Sequence, residues 1–151
     1  GVLSSSSRRP AYGWVSARAF AKMRRSCRRP TSAVAIEAAA AGVLTVTNDA
    51  DVQKLDLAGV QRIDLVFPKF ADGRAFSQAF ELRRRLGFAG VIRATGDVLV
   101  DQLVQMQRCG FSEAVLRADQ DPAVGEKLLQ HYSGFYQGDA TDLQPRFAKT
   151  A

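Results

Sequence analysis

From Gly42 onward the pattern of apolar and polar positions switches repeatedly between a short β-type run and a helical period, the signature of an α/β domain. Val43 to Thr47 is an apolar, β-branched run closed by Asn48 and Asp49, and Asp49 or Asp51 can cap a brief helix carrying Val52 and Leu55. Ile63 to Phe67 reads as a second strand, which Pro68 ends because proline has no N–H to donate. From Ala75 to Leu86 the apolar residues Ala75, Phe76, Ala79, Phe80, Leu82 and Leu86 share one arc at ~100° per residue. Ser77, Gln78, Glu81, Arg84 and Arg85 take the other side, and Gly87 followed by Phe88 supplies a C-terminal stop.

Val91 to Ala94 predicts a third strand, and Asp97 caps a helix running to Cys109, with Gly110 and Phe111 repeating the stop. Glu113 to Arg117 predicts a fourth strand, and Asp121-Pro122 opens a last helix through Leu129. The spacing of the strands suits successive right-handed βα units. We therefore expect a small, mostly parallel four-stranded sheet: a Rossmann-like open sheet, or as the alternative a partial (βα) barrel. Such a sheet needs cover on both faces and leaves an edge that invites pairing with another copy or a partner. The domain is expected over residues 43–136, with an irregular tail over 137–151 whose neighbours Phe135 and Tyr136 pack back on it.

Charge changes the picture of the first 42 residues. They hold eight Lys or Arg against one acid, while the rest of the 151-residue chain holds thirteen against fourteen. The basic character belongs to a leader, so nucleic-acid binding by the domain is not expected. The leader has no sustained period and few large aliphatic residues, so it is read as disordered or non-native. A transit peptide, a basic arm and a misread frame or start all fit its Arg- and Ser-rich composition, and the misread frame is the reading preferred. No run approaches the ~18 apolar residues of a membrane span. Cysteines at 27 and 109 make no disulfide framework, which points to a reducing cytoplasm.

The candidate chemistry lies where strands hand over to helices. Lys69, Asp72, Gly73 and Arg74 follow the second strand, and Arg93, Thr95, Gly96 and Asp97 follow the third. If those strands are neighbours, Lys69, Arg74 and Arg93 converge with two helix N-termini on one edge, an arrangement for an oxyanion such as sulfite, sulfate or phosphate. Ser77 and Arg83 complete the anion or substrate set, and Asp72 and Asp97 are the candidates for proton transfer. Each has a plainer role: Asp72 and Asp97 as N-caps, Lys69 and Arg74 as solvated charges. Arg83 lies inside an apolar arc and must snorkel, bind a ligand, or pair with an acid such as Asp64 or Asp97, the last being preferred.

Cys109, in a last helical turn, is read as core packing, because the negative end of the helix dipole raises a thiol pKa. Asp101, Gln105 and Arg108 form one wet face. His131 is the only histidine, and no residues stand at metal-ligand or iron–sulfur spacing. The G-x-G-x-x-G and G-x-x-x-x-G-K-[ST] fingerprints are also absent, so no cofactor is identified.

FPKFADGR with Ser77, Leu82-Arg83, Arg93-Ala94, Gly96-Asp97-Val98-Leu99, Asp101-Gln102 and Cys109-Gly110-Phe111 resembles the bacterial domain of unknown function 934. The likeness covers about Val43 to Tyr136, with Ala75 and Thr95 as small departures and the first 42 residues unlike the family's start. It implies a place in assimilatory sulfite reduction and cysteine biosynthesis, since the family is described as an oxidoreductase of that pathway encoded beside the sulfite reductase hemoprotein. The reduction itself requires siroheme and an iron–sulfur cluster, and two cysteines cannot ligate the latter. The expectation is an accessory protein that binds the oxyanion or the sulfite reductase. The alternative is a small oxidoreductase with an unidentified cofactor.

Overall fold

The computed structural model describes residues 42–149. Four strands, β1 (Val43–Val46), β2 (Arg62–Phe67), β3 (Val91–Gly96) and β4 (Glu113–Ala114), form one sheet in the order β1-β2-β3-β4. All three pairings are parallel. Three helices follow the later strands: α1 (Arg74–Arg84), α2 (Leu103–Cys109) and α3 (Pro122–Gln130). The link from β1 to β2 has no α-helix, only the 3₁₀ turn Val52–Lys54, which Asp51 caps through the Gln53 N–H.

The register explains where the core sits. Val46, Leu65, Ala94 and Ala114 lie side by side across the four strands, Ile63 pairs with Ile92, and all of them are buried on one face. Val52 of the 3₁₀ turn, Ala75, Ala79 and Leu82 of α1, and Leu103 and Met106 of α2 belong to the same apolar cluster. Each large side chain buried there contributes about 1.5–3 kcal/mol. Phe67 closes the cluster at its top, edge-on to Phe76 at 5.2 Å and tilted against Phe111 at 5.8 Å.

All this packing lies on one side of the sheet. The opposite face carries Thr45, Asp64, Arg93 and Glu113 in one row, with Arg62, Val66, Val91 and Thr95 beside it. No helix among the described residues belongs to that side, although cover on both faces was expected. The open parallel sheet is present, but its strands run consecutively and its helices are wound one way only. That is the winding of a barrel portion; a doubly wound Rossmann sheet reverses its strand order part-way.

Local differences from the expected elements have simple causes. α1 buries Ala75, Gln78, Ala79 and Leu82, a narrower stripe than the expected arc, and leaves Phe80 exposed. β3 runs two residues beyond Ala94, to Gly96, whose φ of +94° lets the chain turn where a Cβ would stand 2.3 Å from the Phe67 carbonyl oxygen. Asp97 caps no helix. The next turn starts at Val100, with the Gln102 side chain accepting from the Leu99 N–H. Asp121 does cap α3, accepting from the Ala123 N–H at 2.9 Å with Pro122 in the first turn.

The tail is irregular yet attached. Arg108 of α2 stands 4.4 Å over the Phe135 ring, donates to the Gln137 carbonyl, and lies 3.6 Å from the Asp139 carboxylate. The Arg108 carbonyl in turn accepts from the Ala140 N–H. Tyr136 remains exposed and leans on Phe147.

Candidate functional site

The carboxyl edge of the sheet gathers the turns after β2 and β3. Between them, the segment Pro68–Ala71 is pinned from both sides. The Phe70 N–H donates to Asp97 Oδ2 at 2.9 Å, and the Phe70 carbonyl accepts from Gln102 Nε2 at 2.8 Å. The backbone of Phe70 is thus held twice, yet the residue is 52% exposed. Lys69 beside it is exposed and has no ion pair among the described residues.

The other cations are all matched by carboxylates. Arg74 makes a two-pronged contact with Asp72, at 3.1 and 2.8 Å, and Asp72 also accepts from Asn48 Nδ2 at 2.6 Å. The Arg74 guanidinium and backbone N–H hold the Asp72 carboxyl down to about 2, and Asp72 in turn raises the pKa of Arg74. A hydroxyl bond from Thr47 lowers Asp49 next to this pair. On the far side, Arg117 bridges Asp119 and Asp97, at 2.6 and 2.9 Å. That bridge raises Arg117 and lowers Asp119 to about 2.

Arg93 does not reach this rim. It lies inside β3, three residues before Gly96, so by the rise of a strand it is about 10 Å below the edge. Its guanidinium pairs across the strands with Glu113, at 2.7 and 2.6 Å. The strand outran the expected boundary because Thr95 and Gly96 continue the ladder opposite Val66 and Phe67. Of the three cations expected together, the fold brings Lys69 and Arg74 onto one turn and places Arg93 elsewhere.

Arg83 is spent on the scaffold. Nε donates to the Gly110 carbonyl, Nη1 to the carbonyls of Phe88 and Gly90, and Nη2 to Ser112 Oγ, all within 2.8 Å. The two acids expected for it carry other arginines, Arg62 on Asp64 and Arg117 on Asp97. Ser77 is an exposed residue of α1, one position from Gln78, which is buried. Cys109 packs against the core at the end of α2, and burial, the largest influence, raises its thiol pKa. His131 is exposed at the end of α3.

Three polar residues that organise this edge were not singled out in the sequence. The sequence pattern places Arg117 at the end of a strand, but β4 ends at Ala114 and releases it into the rim. Gln102 clamps Phe70, and Gln78 ties α1 to the first turn by donating to the carbonyls of Thr47 and Ala50, both at 2.8 Å. Only Gln102 left a trace, as part of a motif. Among the described residues no cluster of three or more His, Cys, Asp or Glu could hold a metal ion, and no helix is long and apolar enough to cross a membrane. A shallow hollow of about 430 Å³ is lined by tail residues, including Phe135, Gln137 and Arg146.

The model of a family of bacterial proteins of unknown function (DUF934) matches residues 42–147. The chain belongs to this family. No curated protein and no solved structure matches it. The DUF934 region contains every strand and helix described above, the pinned Phe70 turn and the tail docked on Arg108. What its rim offers chemically, among the described residues, is an exposed aromatic side chain on a doubly hydrogen-bonded backbone, the Lys69 ammonium without an ion pair, and two sets of paired charges.

Proposed function

We propose that this DUF934 protein is an accessory factor of assimilatory sulfite reduction, and that it docks on a partner protein through the turn carrying Lys69 and Phe70. The single observation behind this reading is the Phe70 clamp: two hydrogen bonds fix the backbone while the ring faces solvent. A pre-set aromatic anchor loses little conformational freedom on binding, which is the character of an interface hot spot. Lys69 adds a rim charge suited to an acidic surface. The same geometry disfavours a free oxyanion as the principal ligand, because Arg74, Arg93 and Arg117 already hold carboxylates. The pathway and the sulfite reductase hemoprotein as partner rest on the family likeness.

Co-purification of the hemoprotein with the full chain is the direct test. Phe70→Ala is expected to weaken the complex by about 2 kcal/mol or more, and Lys69→Glu to slow association in a salt-dependent way. Loss of neither would remove the docking reading. Titration with sulfite or sulfate is expected to give no saturable heat, whereas binding abolished by Arg74→Ala would favour the oxyanion. A deletion strain is expected to grow on cysteine but not on sulfite.

A further inference from the structure

The Phe70 turn is fixed by groups outside its own segment. Asp97 accepts the Phe70 N–H on Oδ2, and its own backbone N–H is held by the Phe67 carbonyl at 2.8 Å. Its carboxylate makes no hydrogen bond within its own turn among the described residues; the other oxygen, Oδ1, accepts from Arg117 Nη1 at 2.9 Å. Arg117 is itself anchored. Nε and Nη2 grip the two oxygens of Asp119 at 2.6 and 2.8 Å, and the backbone N–H reaches the Val98 carbonyl at 3.0 Å. A planar guanidinium that holds one carboxylate with two nitrogens presents the third in a fixed direction, which an ammonium cannot do. The second clamp leads back to the same loop. Gln102 Oε1 accepts from the Leu99 N–H, and the neighbouring Val100 N–H donates to Gln120 Oε1 at 3.1 Å.

We propose that Arg117 is a positioning residue of the Phe70 turn: acting through Asp97, it sets the place of the Phe70 backbone and so the direction in which the aromatic side chain is presented. The consequence for a partner rests on the docking reading given above, whereas the link from Arg117 to Phe70 belongs to the free protein.

A purely stabilising role fits these contacts poorly. The Arg117 side chain is 43% exposed and that of Asp119 59%, and ion pairs so open to water add little to global stability. Their effect is local. Without Arg117 the Asp97 carboxylate is free to turn towards solvent, the Phe70 N–H loses a fixed acceptor, and the turn has to be ordered when the partner binds.

The test is a double-mutant cycle on the full chain, with Arg117→Met and Asp97→Ala made singly and together and read by amide hydrogen exchange at Phe70. Neither position adjoins Phe70, so the intrinsic exchange rate is common to all four proteins. Arg117→Met is expected to speed exchange at Phe70 about tenfold, with the thermal midpoint and the exchange of β2 and β3 unchanged. In the Asp97→Ala background the same substitution is expected to add nothing, since the carboxylate through which it acts is gone. Should Arg117→Met fail to fold, Arg117→Gln takes its place in the cycle. Exchange at Phe70 that is unmoved by the loss of Arg117, or accelerated equally with and without Asp97, overturns the proposal. Arg117→Met is also expected to bind the hemoprotein at least about threefold more weakly. A complex weakened by Phe70→Ala but indifferent to Arg117→Met counts against the proposal, whereas a complex indifferent to both removes the docking reading and leaves the exchange cycle to decide the link.

Discussion

Arg83 shows how far a single residue could be read. Its position inside an apolar arc announced a buried guanidinium that needed partners; that they are mostly carbonyls depended on where α1 ends and where Gly110 turns. Gly110 has φ +106°, and a Cβ there would meet Arg83 Cγ at 2.4 Å, so the glycine and the arginine define one another. Arg83→Lys keeps the charge but cannot span the carbonyls of Phe88, Gly90 and Gly110 in a fixed fork. We expect it to cost about 2–4 kcal/mol through buried acceptors left unpaired, read by urea unfolding at unchanged ellipticity. The rim acids behave differently. Asp72 and Asp119 both titrate at about 2, below the ordinary 3.8, so they bind fewer protons folded than unfolded. Their stabilisation is therefore complete above pH ~4 and is lost as pH falls towards ~2. Asp119 is exposed and Asp72 half-buried, so the loss is expected to shrink in 1 M salt, where the Debye length is about 3 Å, and most at Asp119. Unfolding midpoints from pH 5 to 2 at two salt concentrations check it.

At the scale of elements, local signals located the helices whose caps are made by neighbouring residues and misplaced one whose apparent cap is used elsewhere. Asp121-Pro122 and Gly87 act within their own turns, and α3 and α1 begin or end within two residues of expectation. The Phe88 N–H reaches back to the Leu82 carbonyl, closing α1 locally. Asp97 looked the same in sequence, but its carboxylate reaches Phe70, twenty-seven residues away, and Arg117, twenty residues away. A short-range pattern carries no information about such partners. The end of β3 is decided by Gly96, where the chain turns and the Asp97 N–H reaches the Phe67 carbonyl at 2.8 Å. Gly96→Ala adds left-handed strain and a contact with backbone that cannot yield. We expect a loss of about 3 kcal/mol or more, with faster hydrogen exchange at Asp97 and Phe70. Retention of normal exchange there would mean that the turn is not what sets the rim.

The whole molecule was legible as a class and less so as an arrangement. Alternating periods require parallel βα units, but whether successive helices fall on one face or two is settled by tertiary packing. The alternating apolar and charged residues of β2 and β3, Asp64 between Ile63 and Leu65 and Arg93 between Ile92 and Ala94, are the available hint of a one-sided sheet. A strand buried on both faces would read as a continuous apolar run. The tail poses the same difficulty, since its attachment centres on one residue of α2. Arg108 covers Phe135, bonds the Gln137 carbonyl and faces Asp139, while its own backbone receives Ala140. Arg108→Ala removes the stacking, the side-chain bond and the ionic contact but leaves the backbone bond. The sheet and α1 share none of these contacts, so the variant is expected to keep its core, losing about 1–2 kcal/mol, while protection collapses over residues 135–149. Hydrogen exchange resolved by peptide distinguishes the outcomes. Selective loss in the tail fits a segment clamped by Arg108, whereas loss spread equally through β2 and β3 would show that the tail is an integral part of the core.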